Sequence, residues 1–304
     1  NEGGADFSAR TDPDFQNLQR GRRSIALNLK TPEGLEILHR MAAKADVVVE
    51  NFRPDVKTRL KIDYDTLSKI NPRLIYASIS GFGQDGPYVN RPGVDQIAQG
   101  MSGLMSFTGE PGRGPMRVGI AVADLSAGLF AALGIMTALH ERQTSGKGQW
   151  VQSNLLQAQI ALLDFQAARY TMEGDVPGQA GNDHPTVMPA SAYKTKDGYL
   201  TIAAPGRLWP RLCESLGDAA LATRPEFATG PLRSKNRVAL KEAMEKLLAT
   251  KTSVEWNELL NDAGVPCGPI YAMDQVFADP QVKEIRMDRT VRHPEMGEIH
   301  LVGQ

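Results

Sequence analysis

Ala45-Asp-Val-Val-Val-Glu-Asn-Phe-Arg-Pro54 and Asn71-Pro-Arg-Leu-Ile-Tyr-Ala-Ser-Ile-Ser80 decide the fold. Asp46 to Glu50 reads as a buried strand, Asp63 to Ile70 as a helix and Leu74 to Ser80 as the next strand. Upstream, Ser24 to Leu29 alternates like a strand. Thr31-Pro-Glu then supplies a cap and a first-turn proline for a helix running to about Ala45. Downstream, Gln149 to Ser153 reads as a strand and Leu155 to Tyr170 as a helix. Strands that alternate with helices predict a parallel α/β architecture.

Composition changes at Met172 to Pro189, which is loop-rich. Beyond it, Ala192-Tyr-Lys-Thr-Lys-Asp197-Gly198-Tyr-Leu-Thr-Ile-Ala203 predicts a hairpin with an Asp-Gly turn. Helices are expected at about 207–216, 233–249 and 253–262. This organisation implies a large domain over residues 1–182, a small α+β domain over 183–275, and a segment 276–304 returning toward the large domain.

Between them lies Arg117-Val-Gly-Ile-Ala-Val-Ala-Asp124-Leu-Ser-Ala-Gly128. Val118 to Ala123 reads as a short buried β run. Leu125 to Leu139 is apolar all round and rich in Gly and Ala, which predicts an interior helix packed at close backbone distance. Asp124 is the only charged side chain between Arg117 and His140. At such a joint it is either an N-cap, stabilising the first turn by about 1 kcal/mol, or a catalytic group.

Bulk properties narrow the function. The 304 residues carry 34 basic and 35 acidic side chains, a balance that marks no nucleic-acid or membrane-surface partner. The apolar run near Leu125–Leu139 falls short of the ~20 residues of a membrane span, and no signal-peptide pattern opens the chain. Cys213 and Cys267 form no disulfide framework, the five His are scattered, and no metal-ligand cluster is visible. A cytoplasmic or organelle-matrix enzyme is expected. Gly81-Phe-Gly-Gln-Asp-Gly86 fits G-x-G-x-x-G, but Pro87 and the following loop replace the helix that NAD or FAD binding needs. The glycines are better read as letting the backbone approach a ligand or another segment. Gly112-Arg-Gly114 and Gly146-Lys-Gly148 fit no P-loop, so ATP chemistry is not expected.

The Asp124 segment resembles the nucleophile segment of the class III coenzyme A-transferases, the family of formyl-CoA and carnitine CoA-transferases. So do Arg20-Gly-Arg-Arg-Ser-Ile-Ala-Leu-Asn-Leu-Lys30, the two blocks quoted first, the Gly81–Pro87 turn and Thr144-Ser-Gly-Lys-Gly-Gln149, in the family's order and spacing. The resemblance implies a Rossmann-like large domain, the smaller domain, and an interlocked homodimer. It implies transfer of coenzyme A from an acyl-CoA donor to a carboxylate acceptor, without metal, NAD or ATP. Asp124 takes the nucleophile's position. Leu27, Lys30, Asn51, Phe52, Arg59 and Leu60 take coenzyme-contacting positions, and Ser80 and Phe82 stand where some members have Lys and Tyr. The resemblance also leads us to expect a fragment, with the family's first strand and helix before Asn1 and further chain after Gln304.

Coenzyme A presents phosphates, an adenine and a long neutral arm, so its site needs cations, a flat apolar surface and a channel. Lys30, Arg59 and the Arg20, Arg22, Arg23 group supply cations, and Phe52 with Leu27 could flank the base. Arg91, Arg117 and His184 are candidates for a second carboxylate, each also readable as structural. A carboxylate at a helix N-terminus is ionised at neutral pH without a general base. Two alternatives share the fold. The α-methylacyl-CoA racemases use Gly-His-Asp where this chain has Gly93-Val94-Asp95, and Val carries no proton. A non-catalytic acyl-CoA-binding protein would have no use for Asp124.

Overall fold

A computed structural model describes residues 10–303. They divide into two compact units. One is Ala26–Pro185; the other joins the residues before Ala26 to those from Thr186 onward, so that 276–303 lies in the second unit.

The first unit is built on three parallel strands in the order β1-β2-β3: β1 (Val47–Glu50), β2 (Ile75–Ser80) and β3 (Trp150–Asn154). Val47 faces Ile75, Tyr76 faces Trp150, and Ser80 faces Asn154. Alternate β2 residues point to opposite faces. Leu74 and Tyr76 pack with Ala42 and Leu67, which come from helices Pro32–Ala42 and Tyr64–Ile70. Ile79 instead joins Ala98, Ala123, Ala127, Leu155 and Ala158. Helices therefore cover both faces, as a parallel sheet requires. Local signals act as expected at two starts: the Thr31 hydroxyl accepts from the Gly34 amide, and the Asp63 carboxylate accepts from the Thr66 amide.

Four expectations need correction here. Residues 22–28 form no strand: they are mostly exposed and find no edge to pair with. Val118 to Ala123 is neither a strand nor, before Ala123, buried. Side chains satisfy its backbone in place of a ladder: Gln99 Oε1 accepts from the Val118 amide and Gln99 Nε2 donates to the Ile120 carbonyl. The helix from Leu155 breaks into Leu155–Ala161 and Phe165–Glu173 at Asp164, whose φ is 48°. The Asp124 helix begins earlier, at Val122, and continues to Ser145.

That long helix (hereafter the 122–145 helix) is not interior all round. Ala123, Ser126, Ala127, Ala131 and Ala138 form its buried stripe, and a Cβ on Gly134 would lie 2.7 Å from Val151 Cγ1 of β3. Small residues thus do bring the helix close to the sheet. The opposite face leaves Leu125, Leu129, Leu133 and Met136 between 52% and 68% exposed. With 24 residues the helix is long and apolar enough to cross a membrane by length and composition. Its small-residue stripe instead packs on β2 and β3, which makes it a covering helix of the sheet.

In the second unit, β4 (Ala190–Lys194) and β5 (Tyr199–Ala203) form the Asp-Gly hairpin, and β6 (Cys267–Pro269) extends it antiparallel. Tyr193, Ile202, Trp209, Leu212, Leu240, Met244 and Trp256 fill its core. The helices there, Leu208–Ser215, Arg237–Leu248 and Ser253–Asp262, match the expected ones within a few residues. A second hairpin, β7 (Asp288–His293) with β8 (Gly297–Val302), had no sequence expectation.

Candidate active site

The carboxyl ends of parallel strands are where open α/β sheets bind ligands. Here β1 ends at Glu50, followed by Asn51 and Phe52, and β2 ends at Ser80, followed by Phe82. Glu50 pairs with Ser78 in register, so the expected contacts Asn51, Phe52, Ser80 and Phe82 come together at one edge. Beyond β3, a cavity of about 300 Å³ opens beside Asn154, large enough for part of a small ligand. Gly81 belongs to this edge for a steric reason. A Cβ there would lie 2.6 Å from Gly93 Cα, so the glycine permits two backbones to cross.

The remaining expected contacts lie outside that edge. Leu27 is half-buried before the Pro32–Ala42 helix, Lys30 is exposed in the same turn, and Arg59 and Leu60 end the Pro54–Arg59 helix. The Lys30 and Arg59 side chains enter no ion pair among the described residues, although the Arg59 charge helps to lower the Asp55 pKa. Arg20, Arg22 and Arg23 belong to the other unit. Arg91 stacks 3.8 Å over the Tyr88 ring, and His184 stacks on Phe165 with centroids 5.6 Å apart.

Asp124 is the third residue of its helix, not the cap. Ala121 occupies the cap position and makes no side-chain cap bond. The capping is done from outside, by Asp95, whose Oδ1 accepts from the Ala123 amide at 2.9 Å. Asp95 is buried; its Oδ2 accepts from Gln99 Nε2 at 2.7 Å, and the half-exposed Arg117 guanidinium lies 3.8 Å away. Asp95 and Gln99 therefore fix the whole approach to the helix. In sequence Asp95 closes the Gly93-Val94-Asp95 triplet; its spacing of four from Gln99, which places both on one helix face, is the signal available there.

Asp124 itself has no hydrogen bond or ion pair among the described residues, and it is exposed. Partial burial raises its pKa, and the Asp95 charge raises it further. Both oppose the helix N-terminus, which is expected to favour the charged form. A more basic carboxylate is a stronger nucleophile, in the Brønsted sense. The arrangement separates the two aspartates: Asp95 holds the helix, and Asp124 is left without a hydrogen bond or ion pair among the described residues.

A second cluster escaped the sequence reading. Lys57, on the Pro54–Arg59 helix, is buried and donates to Glu50 Oε1 at 2.9 Å, Ser78 Oγ at 2.9 Å and Gln84 Oε1 at 2.6 Å. Glu50 Oε2 accepts from the Phe52 amide at 2.8 Å. Among the described residues, no group of three or more His, Cys, Asp or Glu side chains is placed to hold a metal ion.

Residues 4–304 match the description CoA-transferase family III. The chain is 42% identical over 275 residues to the succinate–glutarate CoA-transferase of Agrobacterium fabrum, covering 88% of this chain and 68% of that one. It is 37% identical over 290 residues to the succinyl-CoA:glutarate CoA-transferase of Mus musculus, covering 95% and 66%. It thus spans about two thirds of the length of these relatives. Among solved structures, a CAIB/BAIF family protein from Brucella suis is similar with a TM-score of 0.79 and 37% identity, covering 93% of this chain and 79% of that one.

Proposed function

Because the chain belongs to CoA-transferase family III, we propose that it moves coenzyme A from an acyl-CoA thioester to a carboxylic acid, with Asp124 as the covalent nucleophile. The observation that carries this is the free carboxylate of Asp124, on a helix already capped by Asp95. An Asp124 oxygen attacks the thioester carbonyl, forming an aspartyl-acyl anhydride and releasing the coenzyme A thiolate. The thiolate attacks the aspartyl carbonyl of the anhydride; the donor acid leaves, and an aspartyl-CoA thioester remains. The acceptor carboxylate attacks that thioester to form a second anhydride. The freed thiolate then takes the acceptor's acyl group and regenerates Asp124. No net proton is moved, so no general base is needed. Splitting the exchange in this way replaces one difficult step by easier ones.

The coenzyme lies, in this reading, along Leu27, Lys30, Asn51, Phe52, Arg59 and Leu60, with its thioester near Ser80 and Phe82. Two relatives are named for succinate or succinyl-CoA and glutarate, which supports a dicarboxylate acceptor. Arg117 and Arg91, both exposed and outside strong ion pairs, are our candidates for its second carboxylate. The uncovered face Leu125, Leu129, Leu133 and Met136 supports a homodimer, since a contiguous apolar patch of this kind marks an interaction surface.

Incubation with acyl-CoA and no acceptor should leave an adduct on the peptide carrying Asp124. Hydroxylamine should convert it to a hydroxamate, visible by mass spectrometry. A treated protein that turns over acyl-CoA with no mass change at this peptide would refute the mechanism.

A further inference from the structure

Lys57 is the most deeply buried ammonium of the first unit, and all three of its N–H donors are used: Glu50, Ser78 and Gln84 take one each. Its Nζ also lies 5.1 Å from the Trp150 ring centroid and 5.7 Å from that of Tyr76. Trp150 Nε1 donates to the same Ser78 Oγ at 2.9 Å. A cation so enclosed has no donor left for a phosphate. Its partners nevertheless lead in two directions. Glu50, at the end of β1, accepts from the Phe52 amide. Gln84 donates through Nε2 to Ser80 Oγ, which also accepts from the Gly83 amide. One hydrogen-bonded chain thus runs from Phe52 through Glu50, Lys57, Gln84 and Ser80 to Gly83.

We propose that Lys57 is a positioning residue that locks the Asn51–Phe52 turn and the Ser80–Gly86 turn into one unit, and thereby sets affinity for coenzyme A. The consequence for coenzyme rests on the functional reading above; the lock itself does not. Burying a charge is costly unless it is fully paired, so the network has one arrangement in which every member is satisfied and few others. Two turns separated by about thirty residues of chain become a single rigid edge. A merely stabilising pair would change melting temperature and leave the two turns independent.

The test compares Lys57→Met, Gln84→Ala, the double variant and the parent chain. Amide exchange read by mass spectrometry reports on the lock, and calorimetric titration with coenzyme A reports on its consequence. Lys57→Met should speed exchange at least tenfold in both the peptide holding Phe52 and the peptide holding Gly83. Gln84→Ala, which keeps the Lys57–Glu50 pair, should speed only the second. Each single variant should weaken coenzyme binding about tenfold, and the double variant no more than Lys57→Met alone. Where Lys57→Met fails to fold, Gln84→Ala decides. Unchanged exchange at Gly83 in Gln84→Ala, or binding losses that multiply in the double variant, would overturn the proposal. A parent chain that fails to bind coenzyme A, with the exchange pattern as expected, would overturn the functional reading and leave the lock standing.

Discussion

Replacing Asp95 with Asn should weaken the fold and acidify Asp124 at once, a pairing that few substitutions produce. The amide keeps the shape, and its oxygen can still accept from the Ala123 N–H that the carboxylate now holds at 2.9 Å. Its NH₂ group, however, faces Gln99 Nε2, which donates to Asp95 Oδ2 at 2.7 Å. If the Gln99 amide turns over to relieve that conflict, the Val118 amide and the Ile120 carbonyl lose their partners. One buried, charge-assisted hydrogen bond is lost either way, worth about 1.5–3 kcal/mol. Removing a buried charge recovers part of its desolvation cost, which leaves a net loss of about 1–2 kcal/mol. For a unit of this size that corresponds to roughly 2–8 °C in Tm. Arg117 adds little, being half-exposed and 3.8 Å away. Meanwhile the Asp95 charge, one of the two causes raising the Asp124 pKa, disappears. The acidic limb of the pH–rate profile should therefore move to lower pH. Differential scanning calorimetry and initial rates across the acidic range measure both. An unchanged Tm, or an acidic limb that stays put or moves up, would refute the capping and electrostatic argument.

Asp124→Asn should abolish transfer by several orders of magnitude, since an amide is not an anionic nucleophile. Because the folded pKa of Asp124 is raised, its ionisation costs stability as pH climbs from the unfolded to the folded value. The variant should be at least as stable as the parent at neutral pH, with any gap closing in acid, as denaturation at two pH values will show. Gly81→Ala should destabilise by about 1–3 kcal/mol, because its Cβ would sit 2.6 Å from Gly93 Cα and only backbone can yield. Urea midpoints would check it. Leu129→Glu with Leu133→Glu, both on the exposed face of the 122–145 helix, should give a monomeric mass in sedimentation while far-UV circular dichroism is retained.

Strand and helix alternation was legible because period and capping act locally: Thr31, Asp63 and the Asp197-Gly198 turn do what their residue types predict. What was not legible depended on partners distant in sequence. Ser24 to Leu29 has a strand's pattern and no neighbour. Val118 to Ala123 has a buried run's composition, but Gln99 and Asp95 bind its backbone. The 122–145 helix has an interior helix's composition, but Leu125, Leu129, Leu133 and Met136 point away from its own sheet and stay exposed. In the site, Asp124 stood out as a lone charge in apolar sequence. Lys57, amid other charges, carries no such contrast. Only the folded register of Glu50 with Ser78 shows it to be enclosed.

The external cap has a consequence for how this scaffold can change. When a reactive aspartate also caps its helix, losing the chemistry costs the first turn about 1 kcal/mol as well, and selection for stability alone would favour keeping the residue. Here Asp95 carries that duty from a different helix, Asp95–Met101, and position 124 is released from it. On the proposed mechanism, a descendant could exchange the residue at 124, or discard its carboxylate and become a binding protein, in a single step with its architecture unharmed. In that reading the identity of residue 124 records chemistry, and that of residue 95 records the fold.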